Sequence, residues 1–310
     1  MKIAIIGAGA MGCLFGGKLA EKADVCLYDV NKEHVKAMNQ NGLRMTMGED
    51  EKYVKVKAVT DPGQIGIVDA AIFFTKYVFM KQAAADALCC IGPDTLVLTL
   101  QNGLGCQEIL KEFINKDQIA YGLTAYTSDM KGPGHIEMTT LKQVGTYFWP
   151  VSGKISSQAR ELEAVMNEAG FETAITKEVD KKIWKKLMVN CSENTLCAIL
   201  RLTVGQLIDT EEAFRLLKHI VFEIADVACA KGIFISREEG LEYVLGVSRS
   251  VADHLPSMGL DVKLGRKTEI MCLNEAVAAE GKRLGVATPV LEITAQMIRA
   301  IEANYHKLAF

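Results

Sequence analysis

The sequence predicts an N-terminal α/β domain followed by an all-helical domain, and three features lead to this prediction. Residues 2–6 form a short apolar run typical of a parallel strand buried on both faces. A glycine-rich turn and a helical pattern follow this run at once. From residue 180 onward, the apolar residues recur almost throughout with helical spacing. The chain of 310 residues is long enough for two cores, and we predict domains at 1–178 and 179–310.

The glycine-rich turn has the form G-x-G-x-x-G. In this pattern the first glycine makes a tight turn, the second lets the backbone approach a pyrophosphate, and the third allows a helix to pack closely on a strand. The start of the following helix supplies N–H groups and a positive dipole end for the phosphates. Because the motif lies between a strand and a helix, it predicts a Rossmann-type dinucleotide-binding domain. The expected cofactor contacts are Gly7, Gly9, Ala10, Met11 and Gly12.

The second predicted strand, residues 25–28, ends at Asp29. An acidic residue at this position accepts hydrogen bonds from the ribose hydroxyls and repels a 2′-phosphate, which favours NAD(H). Lys32 lies three residues further on and is the competing signal, because its ammonium could reach a 2′-phosphate. Both residues are therefore candidate cofactor contacts, and the chemistry favours NAD(H) slightly.

Two more polar residues follow predicted strands of the same sheet. The run 69–75 ends at Lys76, and the run 96–100 is followed by Gln101-Asn102-Gly103. Ligands of doubly wound sheets bind outside the carboxyl ends of the strands, which makes Lys76 and Asn102 candidate cofactor-side residues. For Asn102 and Gly103 an ordinary turn is an equally good interpretation, because this dipeptide favours turns by itself.

The remaining segments of the first domain are predicted from their periodicity. Helices are expected at 32–41, 79–90 and 156–169, a β-ribbon at 43–58, and a strand at 172–176. Segments of β type at 119–148, with a turn at Gly132-Pro133-Gly134, are expected to add antiparallel strands to the sheet.

In the second domain, one polar row stands out on a predicted helix. Lys186, Asn190 and Asn194 are spaced four residues apart and would stack on one helix face. A lysine beside two carboxamides offers a proton donor and two neutral hydrogen-bonding groups, which suits a small carbonyl substrate. A solvated polar stripe is the competing interpretation, which the neighbouring Glu193 and Lys182 also suggest. The predicted helices are 180–198, 204–207, 210–232, 236–251, 269–284 and 288–307.

A second polar feature precedes one of these helices. Pro256-Ser257-Met258, with Asp261, interrupts the helical period. Thr268 is predicted to be a helix N-cap, with Glu269 in the first turn. At such a position, complementarity to the helix dipole explains the carboxylate without a catalytic role.

Composition and charge argue against several classes of function. The net charge of -3 gives no reason to expect nucleic acid or an anionic membrane as a partner. No run of about 18 apolar residues predicts a transmembrane helix, and the N-terminus lacks the pattern of a signal peptide. The nine cysteines are scattered and form no CxxC, so neither a disulfide framework nor a zinc site is expected. We therefore expect a cytoplasmic protein without a metal.

Together, these motifs resemble the ketopantoate reductase family (2-dehydropantoate 2-reductases), which shares a helical C-terminal domain with 6-phosphogluconate dehydrogenase. The resemblance covers nearly the whole chain, and the ordered set of motifs is specific, whereas the glycine motif alone indicates only a dinucleotide. The set comprises IGAGAMG at 6–12, Thr75-Lys76, Gln101-Asn102-Gly103, Gly132-Pro133-Gly134, Trp184-x-Lys186-x-x-x-Asn190-x-x-x-Asn194, Pro256-Ser257-Met258-x-x-Asp261, Thr268-Glu269 and Gly285-Val286-x-Thr288-Pro289.

The resemblance implies reduction of 2-dehydropantoate to (R)-pantoate with NADP(H), on the route to pantothenate and coenzyme A. The family's catalytic lysine falls on Lys186, which would polarise the ketone and protonate the developing alkoxide. The family's essential carboxylate falls on Glu269, which would bind the substrate hydroxyl and help to orient Lys186. Lys76 matches the cofactor-side lysine, and Asn102 also matches the residue where cofactor meets substrate. The implied substrate contacts are Asn190, Asn194, Ser257 and Asn102.

Several positions depart from the family's pattern. Residues 29–32 stand where members often have an arginine that binds the NADP phosphate. NAD(H) therefore remains an alternative cofactor. The other departures are Phe79 and His254 in place of a glutamine and an asparagine, Val204 where another asparagine occurs, and Glu275 where glycine is usual. They leave a related 2-oxo acid or β-hydroxyacid oxidoreductase as an alternative. A regulator that senses NAD(P) without chemistry is disfavoured, because Lys186 and Glu269 are both present. The expected partner is a small 2-oxo acid, and a homodimer through the helical domain remains open.

Overall fold

The structure, a computed structural model, describes residues 1–140, 144–249 and 251–307. The chain divides into two compact units. The first consists of Met1–Gln101 and Cys106–Val179, and the second of Asn102–Gly105 and the chain from Asp180 onward. The short loop Asn102–Gly105 is bound within the helical unit, where the Leu104 N–H donates to the Cys272 carbonyl at 2.8 Å.

The first unit is built on a largely parallel sheet. Eight strands form this sheet in the order β12-β11-β8-β7-β6-β1-β2-β5. The pairing from β8 to β5 is parallel throughout, and β11 pairs antiparallel with β8. The predicted Rossmann-type class is therefore confirmed. The strands of the unit are, in chain order, β1 (Lys2–Ile6), β2 (Asp24–Tyr28), β3 (Leu43–Met47), β4 (Asp50–Val54), β5 (Lys57–Val59), β6 (Val68–Phe73), β7 (Ile91–Thr99), β8 (Ile119–Thr124), β9 (Ser128–Gly132), β10 (His135–Met138), β11 (Gly145–Pro150) and β12 (Glu172–Ile175).

The β segments of 119–148 were predicted to add antiparallel strands to this sheet, and β11 does so, whereas β8 pairs parallel with β7. The prediction is also wrong for β9 and β10. These two strands form a hairpin at Pro133 and Gly134 and join the predicted ribbon in a separate sheet, in the order β4-β3-β10-β9. Met45 in β3 and Ile136 in β10 are fully buried, so one face of this second sheet packs against the core of the unit. Residues 141–143 of the predicted region lie outside the described residues.

Four helices of the first unit agree with the predicted segments to within a few residues, whereas the helix Cys106–Lys111 was not predicted. The predicted helix 79–90 is shorter, since 3₁₀ turns flank its α-helical part. The helices are α1 (Ala10–Leu19), α2 (Lys32–Asn41), α3 (Met80–Ala87), α4 (Cys106–Lys111) and α5 (Ser157–Glu168). Of these, α1 and α2 matter most for function because they follow β1 and β2 directly.

The second unit is helical, as the periodicity predicts. Its helices are α6 (Val179–Val189), α7 (Thr195–Leu200), α8 (Val204–Asp209), α9 (Glu211–Ala230), α10 (Arg237–Ser248), α11 (Ser257–Lys263), α12 (Asn274–Leu284) and α13 (Pro289–Ala303). The predicted helix 236–251 includes Ser250, which lies outside the described residues.

Two predictions for this unit are wrong. The interruption at Pro256–Met258 is the start of the short helix α11, which begins at Ser257 with Pro256 as its N-cap. Thr268 does not cap a helix, because α12 begins only at Asn274. The N–H and the hydroxyl of Thr268 both donate instead to Glu302 Oε1 at 2.8 Å, so Glu269 lies in a turn rather than in a first helical turn.

Candidate active site

Lys186 lies in the last turn of α6, and its side chain is partly buried. The neighbouring Trp184 and Leu187 are each 1% exposed and anchor this helix in the core. Burial lowers the pKa of the Lys186 ammonium to about 8, while the attraction of the Glu269 carboxylate works in the opposite direction. Such an ammonium still holds its proton near neutral pH, yet gives it up more readily than an ordinary lysine does.

Asn190 and Asn194 lie in a π-helical segment that interrupts the predicted helix 180–198 between α6 and α7. Asn194 Nδ2 donates to Asn190 Oδ1 at 3.4 Å, so the two carboxamides lie side by side. Asn274, at the start of α12, secures the segment by donating from Nδ2 to the Cys191 carbonyl at 3.1 Å. Single turns of π-helix inside α-helices occur frequently at functional sites.

A solvated polar stripe does not describe this segment, because Glu193 is buried. Its side chain is only 2% exposed, and the Ser248 hydroxyl donates to its Oε1. Burial raises the pKa of the Glu193 carboxyl to about 7, although the hydrogen bond from Ser248 lowers it. The row therefore has one solvent-excluded acid beside its two carboxamides.

The Glu269 carboxylate interacts with both Lys186 and Asn102. It acts electrostatically on Lys186, and Asn102 Nδ2 donates to Glu269 Oε2 at 3.4 Å. Gly103 has a φ of +88°, and a Cβ at this position would lie 2.3 Å from the Cys272 carbonyl oxygen. An ordinary surface turn does not require such a close approach, so the glycine serves to bring Asn102 against the Glu269 turn.

A buried carboxylate fixes the turn that carries Glu269. Glu302 binds Thr268 through its Oε1, and its Oε2 accepts from Lys267 at 3.3 Å and from Arg299 at 3.2 Å. Although burial alone would raise it, the hydrogen bonds from Thr268 and the ion pair with Lys267 keep the pKa of the Glu302 carboxyl below its ordinary value. Glu302 therefore stays charged and holds the backbone directly before Glu269.

Ser257 lies in the same unit, and among the described residues no hydrogen bond joins it to these side chains. It is the exposed first residue of α11. The next residue, Met258, accepts a hydrogen bond from the Thr195 hydroxyl at 3.7 Å, which fixes α11 against the start of α7. Ser257 is thereby held next to the helix that follows the π-helical segment.

In the first unit, the three glycines of the G-x-G-x-x-G motif have three different environments. Gly7 has a φ of +94°, and a Cβ there would meet Thr75 at 2.8 Å. A Cβ on Gly12 would lie 1.9 Å from the Gly7 carbonyl oxygen, whereas a Cβ on Gly9 would meet nothing within 4 Å. The open space lies at the N-terminus of α1, where N–H groups of the first turn point outward. The loop therefore fits a pyrophosphate over Gly9.

The remaining predicted cofactor residues follow β2 and β6, the two neighbours of β1. Asp29 is partly exposed, and its Oδ1 accepts from the Asn31 N–H at 2.9 Å. Lys32 is the exposed first residue of α2. Lys76 follows β6 and is partly buried. Because β2, β1 and β6 are adjacent and parallel, all three side chains lie at the same edge of the sheet as the glycine loop.

The described residues contain no group of three or more His, Cys, Asp or Glu side chains that could hold a metal ion. In the same residues, no helix is long and apolar enough to cross a membrane.

Comparison with known proteins agrees with the motifs over both units. A 2-dehydropantoate 2-reductase of Streptococcus pyogenes serotype M3 is 33% identical over 305 residues, which are 98% of each chain. The family model "Ketopantoate reductase PanE/ApbA" matches residues 3–150, and its C-terminal counterpart matches residues 178–302. This chain belongs to the ketopantoate reductase family. The resemblance inferred from the motifs is confirmed, and the protein is an oxidoreductase.

Solved structures similar to this ketopantoate reductase family member include one with ligands. A ternary structure of D-mandelate dehydrogenase with NADH and anilino(oxo)acetate has a TM-score of 0.93 at 30% identity and covers 99% of both chains. A PanE/ApbA family ketopantoate reductase from Ralstonia eutropha has a TM-score of 0.89 at 28% identity, over 99% of this chain and 100% of that one.

Two of the positions that depart from the ketopantoate reductase pattern, Glu275 and Val204, have structural partners of their own. Glu275 forms a bidentate ion pair with Arg299, at 2.6 and 2.7 Å. Val204 is fully buried at the start of α8, and its N–H donates to the carbonyl of the exposed His254 at 3.2 Å. Val204 is thus a packing residue.

Sequence reasoning missed three residues of the second unit that fix the candidate site: Glu193, Asn274 and Glu302. Each is a buried polar side chain whose partner is distant in sequence, 55, 83 and 34 residues away respectively. Asn274 had a local signal, since it directly precedes Glu275, one of the positions that depart from the family's pattern. Glu302 had none, because a carboxylate near the end of a long helix is ordinarily a surface group.

Proposed function

We propose that this protein reduces 2-dehydropantoate to (R)-pantoate with NAD(P)H, in the synthesis of pantothenate and coenzyme A. The observation that carries the proposal is the interaction of Lys186 with Glu269 and of Glu269 with Asn102, in a chain of the ketopantoate reductase family. A perturbed lysine with a specific carboxylate partner and neutral amides beside it is the set of groups that carbonyl reduction requires.

In this proposal Lys186 is the general acid. A bound reduced nicotinamide supplies the hydride that the ketone carbon receives. The Lys186 ammonium polarises the carbonyl oxygen and then transfers its proton to the alkoxide, so that the product is the neutral alcohol. A pKa of about 8 makes the Lys186 ammonium a stronger acid than an ordinary lysine, so its proton passes more readily to the alkoxide, while the group still holds that proton near neutral pH.

The neighbouring groups bind and orient the substrate. Glu269 accepts a hydrogen bond from the substrate hydroxyl, and its charge favours the protonated form of Lys186. Asn190 and Asn194 offer amide donors to the substrate without adding a charge that would compete with Lys186. Ser257 contributes a further hydroxyl from the start of α11, and Asn102 supports Glu269.

We propose that the cofactor is bound by the glycine loop together with Asp29, Lys32 and Lys76. The first-turn N–H groups of α1 receive the pyrophosphate over Gly9, where the space is open. The Asp29 carboxylate accepts from the ribose hydroxyls and favours NADH, whereas Lys32 favours a 2′-phosphate. Asp29 is nearer the strand end, and we propose that it sets the preference.

A second candidate substrate is another 2-oxo acid. The observation in its favour is the D-mandelate dehydrogenase similarity, at a TM-score of 0.93 and in complex with NADH, taken together with Asp29 in place of the arginine expected for NADP. The exposed His254 also stands where the family has an asparagine that can help to bind substrate.

The test is the initial rate of NADPH and NADH oxidation, followed by absorbance, with 2-dehydropantoate and with a panel of 2-oxo acids that includes the oxo acid of mandelate. A higher kcat/KM for 2-dehydropantoate than for every other acid supports the main proposal. A higher kcat/KM for any other 2-oxo acid of the panel supports the second candidate. Cofactor binding without turnover of any oxo acid contradicts both.

Lys186→Ala is the decisive variant for the mechanism. Loss of a positioned general acid lowers kcat by roughly 10²- to 10⁴-fold, while cofactor binding is retained. The matched control is Lys185→Ala, since Lys185 is adjacent but pairs with Glu239 at 2.9 Å. Near-wild-type turnover in Lys186→Ala, or an equal loss in both variants, contradicts the assigned role.

A further inference from the structure

A buried histidine contacts the backbone of the glycine loop on the side that faces the protein interior. His34, on α2, is only 4% exposed, and its Nε2 lies 2.8 Å from the carbonyl oxygen of Ala8, the residue between the first two glycines of the motif. Its Nδ1 accepts a hydrogen bond from the backbone N–H of Gly134, at 2.9 Å. A backbone N–H can only donate, so the proton of the neutral ring is on Nε2, and Nε2 donates to Ala8.

A second donor satisfies the same carbonyl. The Cys13 thiol donates to the Ala8 oxygen at 3.0 Å. Burial, and to a smaller extent the charge of Asp29, raises the pKa of this thiol, so it remains a protonated donor. The Ala8 carbonyl is therefore fixed toward the interior by two buried groups.

The orientation of this carbonyl fixes the phosphate-binding backbone. The Ala8–Gly9 peptide is trans, so the Gly9 N–H points away from His34, toward the partly exposed side of the loop. Gly9 is also the N-cap of α1, so the same peptide plane sets where the first-turn N–H groups of Ala10 and Met11 lie.

His34 also links this loop to the ribose side of the site. Its backbone N–H donates to Asn31 Oδ1 at 3.1 Å, and the Asn31 N–H donates to Asp29 Oδ1 at 2.9 Å. One chain of hydrogen bonds thus runs from Asp29 through Asn31 and His34 to Ala8. This chain of hydrogen bonds fixes the positions of the proposed ribose-binding and pyrophosphate-binding residues relative to each other.

We propose that His34 is a positioning residue for dinucleotide binding, which orients the Ala8–Gly9 peptide through its Nε2–H. The inference rests on the proposed nucleotide site of the first unit. His34 acts through the backbone and touches neither the cofactor nor the substrate in this role.

Two substitutions separate the two ring nitrogens. In His34→Gln the side-chain nitrogen stands near the position of Nε2 and keeps the donor to Ala8, whereas in His34→Asn the side-chain oxygen stands near Nδ1 and keeps only the acceptor for Gly134. Each variant loses one hydrogen bond. If His34 only supports the fold, the two variants should therefore weaken cofactor binding equally. The inference predicts that His34→Asn weakens NADPH and NADH binding about tenfold, whereas His34→Gln stays within about threefold of the wild type.

The measurement is the dissociation constant of NADPH and of NADH by fluorescence titration, with thermal unfolding as a check of folding. No binding by the wild type would contradict the proposed nucleotide site itself. Binding by the wild type with equal constants in both variants would overturn the role of His34 alone.

A measurement on the wild type keeps the inference testable if His34→Asn does not fold. The ¹⁵N resonances of the His34 ring report which nitrogen carries the proton. The Nε2–H tautomer is expected, and the Nδ1–H tautomer would overturn the inference.

Discussion

At the scale of single residues, the pKa of Lys186 gives the proposed mechanism a defined pH dependence. Burial lowers this pKa to about 8, and only the protonated ammonium can act as the acid. For ketone reduction, kcat/KM should be nearly constant below about pH 8 and fall about tenfold per pH unit above it. A pH–rate profile at constant ionic strength measures this. A profile with no break on the alkaline side would contradict the assignment of Lys186.

Glu193 gives a second prediction at this scale, for stability rather than activity. Between its ordinary pKa of 4.5 and the raised value of about 7, the folded protein binds more protons than the unfolded chain. The free energy of unfolding therefore falls as the pH rises through this window, by an amount on the order of 3 kcal/mol. Glu193→Gln keeps the size and removes the charge.

Thermal unfolding from about pH 4.5 to 8 checks this. Glu193→Gln should match the wild type at the acid end and unfold at a higher temperature above pH 7. The control is Glu49→Gln, since Glu49 is exposed in the turn between β3 and β4, and this substitution should leave the unfolding temperature unchanged over the whole range. A constant difference between Glu193→Gln and the wild type at every pH would contradict the linkage.

At the scale of structural elements, the loop Asn102–Gly105 depends on Gly103. In Gly103→Ala the new Cβ would meet the Cys272 carbonyl oxygen at 2.3 Å, and the positive φ adds strain. We expect kcat/KM to fall about tenfold or more, because Asn102 moves away from Glu269. Gly153→Ala has a similar φ of +74° with open space around it and is the matched control for strain. Equal effects of the two substitutions on kcat/KM and on unfolding temperature would contradict the role of the loop.

The elements also show where sequence patterns fail. The helix through Lys186 was predicted from its period, yet the π-helical segment Asn190–Asn194 was not, because one extra residue in a turn leaves the apolar pattern almost unchanged. The misplaced start of α12 has a different cause. Thr268 has the side chain of an N-cap, but its partner is Glu302, 34 residues away, and no local rule identifies such a contact.

At the scale of the whole molecule, the chemistry-bearing residues were easier to predict than the residues that hold them. The glycine loop and the Lys186 row have fixed local spacings. The structure gives the loop its predicted strand–turn–helix setting and places Lys186 on the predicted helix, with Asn190 and Asn194 in the π-helical segment that follows. His34, Asn274 and Glu302 act through contacts between distant segments. The second sheet was missed for the same reason. β3 and β10 are far apart in sequence and pair parallel, so no hairpin turn in the sequence indicates that they are neighbours.

Ligand binding should stabilise the whole protein in a way that tests the glycine loop. A cofactor at 100 times its dissociation constant stabilises the folded state by about 2.7 kcal/mol if it binds only that state. NADPH or NADH should therefore raise the unfolding temperature of the wild type by a few degrees, with the larger shift for the preferred cofactor.

Gly9→Ala is expected to remove this shift without lowering the unfolding temperature of the free protein. Gly9 has a φ of -65°, which alanine adopts readily, and its Cβ would meet no protein atom within 4 Å. The methyl group would instead occupy the space that a pyrophosphate needs. Gly246→Ala, in α10 of the second unit, also has open space around its Cβ and should keep the full shift. A full ligand shift in Gly9→Ala would place the phosphates elsewhere, and a lower unfolding temperature of its free form would mean that the loop is more tightly packed than the open space over Gly9 indicates.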